Sequence, residues 1–204
     1  MLRDEMAPDH VAVAESRVEY EGPIFTIRND QVRFSSGDVA RRQYMEHADA
    51  VAIVALREGS TSASGEPEVL LIRQYRHAPR RIFWEIPAGL RDHAGEDPLE
   101  AAKRELAEEA DVSAQNWQKL VSFYSSPGCS DENLDVYLAR GIAPVESGEA
   151  GADFERVEEE REIEVQWHPL ESVIEAVMRG DLRSPTLVLG VLAAQRVLDQ
   201  LSKE

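Results

Sequence analysis

The segment Arg104-Glu105-Leu106-Ala107-Glu108-Glu109 holds three carboxylates at a spacing that suits chemistry. On a helix turning ~100° per residue, Glu105, Glu108 and Glu109 fall within an arc of roughly 100°. Carboxylates on one such patch repel by a few tenths of a kcal/mol per i,i+4 pair, roughly. A divalent cation held by oxygen ligands turns that repulsion into a binding site. A fourth acid, Glu96, is separated from Arg104 by seven residues and closes the run Gly89-Leu-Arg-Asp-His-Ala-Gly-Glu96. Taken alone, E-x-x-E-E is more often a solvated helix face, so the surroundings must decide.

Those surroundings favour a built helix. Asp97-Pro98 reads as an N-cap followed by proline at the first helical position. Leu99, Ala102, Leu106 and Ala110 make an apolar stripe beside the acids, so one side packs while the other faces a cleft. Ala101 projects between Glu105 and Glu108 and is expected to leave room for an ion. Asp111 stands where the helix ends and tolerates a left-handed cap.

Upstream, Ile24–Asn29, Gln31–Phe34 and Val39–His47 read as short strands, with Ser35–Asp38 as a hairpin turn; residues 1–16 lack periodicity and read as an arm. Ala50–Leu56 is an all-apolar run expected as a buried central strand, followed by strand Glu68–Gln74. Beyond the helix, Trp117–Tyr124 and Asn133–Ala139 are expected to pair around the loop 125–132. The acidic stretch 146–162 reads as loop, Ile163–His168 as a last strand, and Leu170–Arg179 and Ser184–Leu201 as closing helices.

The chain has 204 residues, 43% hydrophobic and 30% charged, which suits one globular domain with a small extension. A net charge of −17 argues against general nucleic-acid binding, which needs a basic face. The sequence has no apolar run near the ~20 residues that cross a bilayer, and a single cysteine, Cys129, fits a reducing cytoplasm.

The glutamate segment resembles the signature of the Nudix hydrolases, G-x5-E-x7-R-E-U-x-E-E-x-G-U. Glu96, Arg104, Glu105, Leu106, Glu108, Glu109 and Val112 match in identity and mutual spacing. It departs twice: six residues separate Gly89 from Glu96, and Asp111 replaces the second glycine. Neither departure removes a carboxylate. The resemblance implies an α/β fold, the Nudix α-β-α sandwich with a mixed sheet, plus a small N-terminal antiparallel sheet. The corresponding division is residues 1–47 as arm and small sheet for dimerisation and substrate contacts, 48–180 as catalytic domain, and 181–204 as a helix packed on it.

Three flanking segments are similar to the ADP-ribose pyrophosphatase branch: Ile72-Arg-Gln-Tyr-Arg76, Trp84-Glu-Ile-Pro-Ala-Gly89, and Ser126-Pro-Gly-Cys-Ser-Asp-Glu132 with Pro127. That likeness implies hydrolysis of the diphosphate of ADP-ribose to AMP and ribose 5-phosphate. Glu105 and Glu109 would be the main metal ligands, joined by the Ala88 carbonyl; Glu108 and Glu96 would complete the site directly or through water, with Glu108 also a candidate catalytic residue. Oxygen-only ligation favours Mg2+, with Mn2+ as substitute. Arg104 would orient the glutamates through a salt bridge.

Arg42 and Arg76 would hold phosphate oxygens, since guanidinium presents paired planar donors. Glu85 would face adenine or ribose, or pair with an arginine. The resemblance implies a catalytic base on the loop before the last strand, where Glu160 is expected and Glu159 is the alternative. The branch is usually homodimeric, which would bring Arg42 to the partner's site. Hydrolysis of another nucleoside diphosphate sugar, such as ADP-glucose or GDP-mannose, is the nearest rival. A non-catalytic nucleotide-sugar sensor is the more distant one.

Overall fold

The computed structural model describes residues 2–58, 65–91, 93, 95–145 and 161–202. In chain order the elements are β1 (Val11–Glu21), β2 (Phe25–Phe34), β3 (Val39–His47), β4 (Ala50–Arg57), β5 (Glu68–Arg76), β6 (Arg81–Glu85), β7 (Ala88–Leu90), α1 (Pro98–Ala110), β8 (Val112–Tyr124), β9 (Asn133–Pro144), β10 (Glu164–Pro169), α2 (Leu170–Met178) and α3 (Pro185–Leu201). They divide into two units: residues 1–48 with 124–133, and residues 49–123 with 134–204.

The larger unit is organised around β4. Its sheet runs β10-β5-β4-β9-β8, with β6 paired to β5 and β7 to β4. β4 is parallel to β9 and antiparallel to β5 and β7, so the sheet is mixed. Residues Ala50–Leu56 are all buried because helices cover both faces. Val51, Ile53 and Ala55 face α1, packing with Ala101, Ala102, Leu106 and Ala110. Ala52, Val54 and Leu56 face the other way, packing with Leu170 and Val173 of α2 and Leu187, Val191 and Ala194 of α3. Each large aliphatic side chain so buried contributes about 1.5–3 kcal/mol. Gly190 lets α3 come close to the sheet, since a Cβ there would meet Val54 at 2.9 Å and Ile86 at 3.0 Å. This is the layered α/β/α arrangement expected from the sequence.

The smaller unit is built on an antiparallel sheet in the order β1-β2-β3. Here two expectations need correction. Residues 11–16 are not part of an arm: Val11–Glu21 forms β1 and pairs along β2, with register shifts at Val13/Glu15 and Val18/Tyr20. The strand is exposed on both faces along most of its length, so no inside–outside alternation was there to read. The break expected at Asp30 is also absent, because β2 runs unbroken through it. Asp30 is buried and accepts a hydrogen bond from Tyr44 Oη at 3.3 Å.

Candidate active site

α1 starts and stops where its sequence directs. Asp97 accepts a hydrogen bond from the Leu99 N–H at 2.8 Å, and Asp111 closes the helix in the left-handed conformation at φ 55°. Leu106 and Ala102 anchor the buried side. Ala101 corrects the expectation that it leaves room for an ion: it is fully buried in the core with Val51 and Ile53. The helix packs over a wider face than the stripe suggested, and what Gly89 provides is the room in which the Glu105 carboxylate itself sits.

A β-carbon on Gly89 would run into the Glu105 carboxylate, so β7 and α1 touch there only because residue 89 has no side chain. The neighbouring Ala88 N–H donates to Glu109 Oε2 at 2.8 Å. Thus Glu105 and Glu109 are both seated on the Ala88–Gly89 backbone. Burial pushes the Glu109 carboxyl up to about 8; the Glu105 charge pushes the same way, while the Ala88 hydrogen bond opposes.

Arg104 binds the other acids together. Its Nε and Nη2 donate to Glu96 at 3.1 Å each, and its Nη1 donates to Glu105 at 2.6 Å and Glu108 at 3.1 Å. Nη2 also reaches the Leu90 carbonyl at 3.2 Å. These hydrogen bonds hold the Glu96 carboxyl below the usual carboxylate range. Burial works against the charge on Arg104, but Glu96, Glu105 and Glu108 outweigh it and hold the guanidinium more firmly protonated. Among the described residues no three carboxylate, imidazole or thiol groups already converge as a metal cluster. The donor set nonetheless fits a hard cation. Glu105 and Glu109 offer oxygens beside the Ala88–Gly89 backbone, and a cation would restore the ionisation that burial suppresses at Glu109.

Arg76 and Glu85 lie in the same unit and pair with each other, Arg76 Nη2 to Glu85 Oε2 at 2.6 Å, with Gln74 donating to the same carboxylate at 3.0 Å. Both charges are felt at Glu109, which places this pair at the edge of the acidic patch.

Arg42 and Pro127 belong to the smaller unit. Arg42 is exposed on β3, with its guanidinium 5.6 Å from the Phe34 ring centroid. Pro127 is exposed in a turn that Cys129 and Ser130 close by donating to the Ser126 carbonyl, both at 2.9 Å. That loop is tied to β3, where Met45 N–H donates to the Cys129 carbonyl at 2.8 Å. Glu159 and Glu160 lie outside the described residues.

A second set of charges escaped sequence reasoning. Asp135, buried on β9, accepts from Lys119 Nζ at 2.7 Å and Ser122 Oγ at 2.6 Å. Burial alone would raise its carboxyl, yet Lys119 and Ser122 hold it below its ordinary value. Arg91, just after β7, pairs with Asp49 at 3.3 Å. The readable signal was an aspartate inside the apolar run Leu134-Asp-Val-Tyr-Leu-Ala139.

A family model for the NUDIX domain matches residues 46–187. An ADP-ribose pyrophosphatase of Mycobacterium tuberculosis is 38% identical over 192 residues, covering 94% of this chain and 86% of that protein. One of Bacillus subtilis is 29% identical over 158 residues, covering 78% of each. A solved structure described as an ADP compounds hydrolase shares the fold with a TM-score of 0.75 at 20% identity, covering 98% of this chain and all of that one. No helix among the described residues is long and apolar enough to cross a membrane.

Proposed function

The chain belongs to the Nudix family of pyrophosphohydrolases, and from that premise we propose that it hydrolyses the diphosphate of ADP-ribose to AMP and ribose 5-phosphate with Mg2+. Relatives named ADP-ribose pyrophosphatase support the substrate. The observation that carries the site is the seating of Glu105 and Glu109 on the Ala88–Gly89 backbone.

In this reading Glu105 and Glu109 hold the cation with the Ala88 carbonyl, and Glu96 and Glu108 complete the set. Mn2+ would substitute, as expected for an all-oxygen site. When bound, the cation would neutralise the diphosphate and acidify the attacking water. Arg104 keeps Glu96, Glu105 and Glu108 in fixed rotamers and does not touch substrate. Arg76 meets phosphate oxygens and Glu85 the adenosine end, exchanging their mutual ion pair for substrate contacts. Water adds to one phosphorus as the bridging P–O bond breaks, and its proton passes to a carboxylate of the segment that precedes β10 in the sequence. We assign that role to Glu160, with Glu159 as the alternative.

We also propose a cytoplasmic homodimer built through the N-terminal unit. Val13, Val18, Tyr20, Ile24 and Val39 are exposed there, which suits a second copy. In such a dimer Arg42 and Pro127 serve a substrate site. The decisive experiment is a panel of ADP-ribose, ADP-glucose and GDP-mannose with Mg2+ and identification of products. AMP and ribose 5-phosphate, formed well ahead of the other reactions, support the proposal; a preference for GDP-mannose overturns it.

A further inference from the structure

The acidic patch of α1 has a cation at each end. Arg76 stands at the Glu109 end, on the side of β4 that carries β5 and β6. At the Glu96 end, Arg104 joins Glu96 to the carbonyl of Leu90, and Arg91 is the next residue. A diphosphate centred on Glu105 therefore has one substituent running toward Arg76 and Glu85, and the other running the opposite way.

The sheet register shows what lies across β4 from Gly89, away from the β5 and β6 side. Val51 on β4 pairs with Gly89 on one side and with Asp135 on the other. Strands lie ~4.8 Å apart, so the Asp135 backbone is about 10 Å from Gly89 in the same row. That row faces α1, since Val51 packs on Ala101 and Leu106 and Gly89 meets Glu105.

Asp135 is only 5% exposed, and it fixes the ammonium of Lys119, whose side chain is 48% exposed. A lysine tethered by a buried carboxylate has lost its freedom before a ligand arrives, and it keeps N–H donors for one. Arg91 is held by its backbone N–H on the Asp49 carbonyl at 2.8 Å. Its side chain makes a longer contact with the Asp49 carboxylate at 3.3 Å, and its Nε is buried with no partner among the described residues. Arg91 thus adjoins the Glu96 end of the patch and Lys119 is anchored across β4 from Gly89, both away from the Glu109 end where Arg76 stands.

We infer that Arg91 and Lys119 form the subsite for the sugar-phosphate half of the substrate, opposite the adenosine end at Arg76 and Glu85. The inference rests on the reaction proposed above. The ligand class is a phosphorylated sugar, which becomes a dianion when the diphosphate is cleaved. Asp135 and Asp49 are positioning residues that hold the two cations.

The test is product inhibition of the full-length enzyme, using ribose 5-phosphate and AMP as probes on the parent and on Arg91→Leu, Lys119→Met and Lys119→Arg. Loss of one charge-assisted contact is expected to raise the inhibition constant of ribose 5-phosphate about tenfold or more in Arg91→Leu and Lys119→Met. The AMP constant is expected to change less than about twofold, and Lys119→Arg to retain most of the affinity. KM for ADP-ribose should rise with little change in kcat, the signature of lost uniform binding.

Lys119→Met leaves Asp135 buried without its cation, so thermal melting must accompany it. Arg91→Leu carries the test if that variant misfolds, because Asp49 is 44% exposed and tolerates the loss. Unchanged ribose 5-phosphate inhibition in folded Arg91→Leu and Lys119→Met overturns the subsite, as does equal weakening of AMP. A parent enzyme that fails to cleave ADP-ribose removes the proposed reaction instead.

Discussion

Replacing Gly89 with alanine separates function from stability at the centre of the site. Gly89 does not have a positive φ, so alanine introduces no backbone strain. Its β-carbon instead occupies the position of the Glu105 carboxylate. That carboxylate ends a flexible side chain, and it escapes by swinging away from β7. Doing so breaks the 2.6 Å contact with Arg104, an ionic hydrogen bond worth about 1.5–3 kcal/mol. Arg104 keeps Glu96 and Glu108, so the net loss belongs at the low end. For a chain of this size that corresponds to a fall in Tm of roughly 3–6 °C. Activity suffers far more, because displacing a positioned group by ~1 Å costs on the order of 10²-fold in rate. Steady-state release of AMP from ADP-ribose across a Mg2+ titration, beside thermal melting, reads both quantities. The expected result is a loss of about 10²-fold in kcat/KM with a shifted Mg2+ midpoint and a folded protein. Since both changes remove one object, Gly89→Ala with Glu105→Gln should be little worse than either alone. Near-parental activity in Gly89→Ala would refute the close seating of Glu105 on β7.

The remaining predictions concern the other acids. Burial raises Glu109 from 4.5 to about 8, so its protonated form contributes stability below pH 4.5 that is lost as pH rises through 8. In EDTA, Glu109→Gln should match the parent near pH 4.5 and exceed it by on the order of a few kcal/mol above pH 8, measured by urea unfolding; a pH-independent difference contradicts this. By the same linkage, Mg2+ binding near pH 7 should release close to one proton and near pH 9 almost none, as read by calorimetry in buffers of differing ionisation enthalpy. Arg104→Lys keeps the charge but loses the planar fork on Glu96, so a stability loss of about 2 kcal/mol is expected with a larger loss of activity. Glu160→Gln should lower kcat by about 10²-fold with metal affinity unchanged; if Glu159→Gln does so instead, the base is one residue earlier.

The parts of the fold that followed strong local rules were legible in the sequence. Asp97-Pro98 started α1 and Asp111 ended it, because caps answer to backbone groups within a turn of themselves. Ala50–Leu56 read as a central strand because burial on both faces leaves no polar position. β1 was illegible for the opposite reason: its residues are mostly solvent-facing, and only pairing with β2 makes it a strand. Within the site, Glu105, Glu108 and Glu109 could be placed by helical spacing alone. The Lys119–Asp135 and Arg91–Asp49 pairs could not, since the first joins two strands and the second the residues flanking two paired strands, and both depend on a register that spacing does not encode.

Charge gives this arrangement its logic. Four carboxylates, Glu96, Glu105, Glu108 and Glu109, share one internal cation, Arg104, which pairs directly with three of them. The fourth, Glu109, accepts the Ala88 N–H and feels the charge of Arg76, yet burial still suppresses its ionisation. Arg104 therefore does two things at once. It neutralises enough charge for α1 to lie against the sheet, and it leaves the β7 side of the patch underneutralised. Adding another arginine there would stabilise the helix and remove the reason for a metal to bind. Arg76 stands at the Glu109 end of the patch, Arg91 beside the Glu96 end, and Lys119 across β4 from Gly89. A cation held at the centre and arginines at the flanks suit a ligand whose charge is central and whose two substituents differ, which a diphosphate joining a nucleoside to a sugar provides.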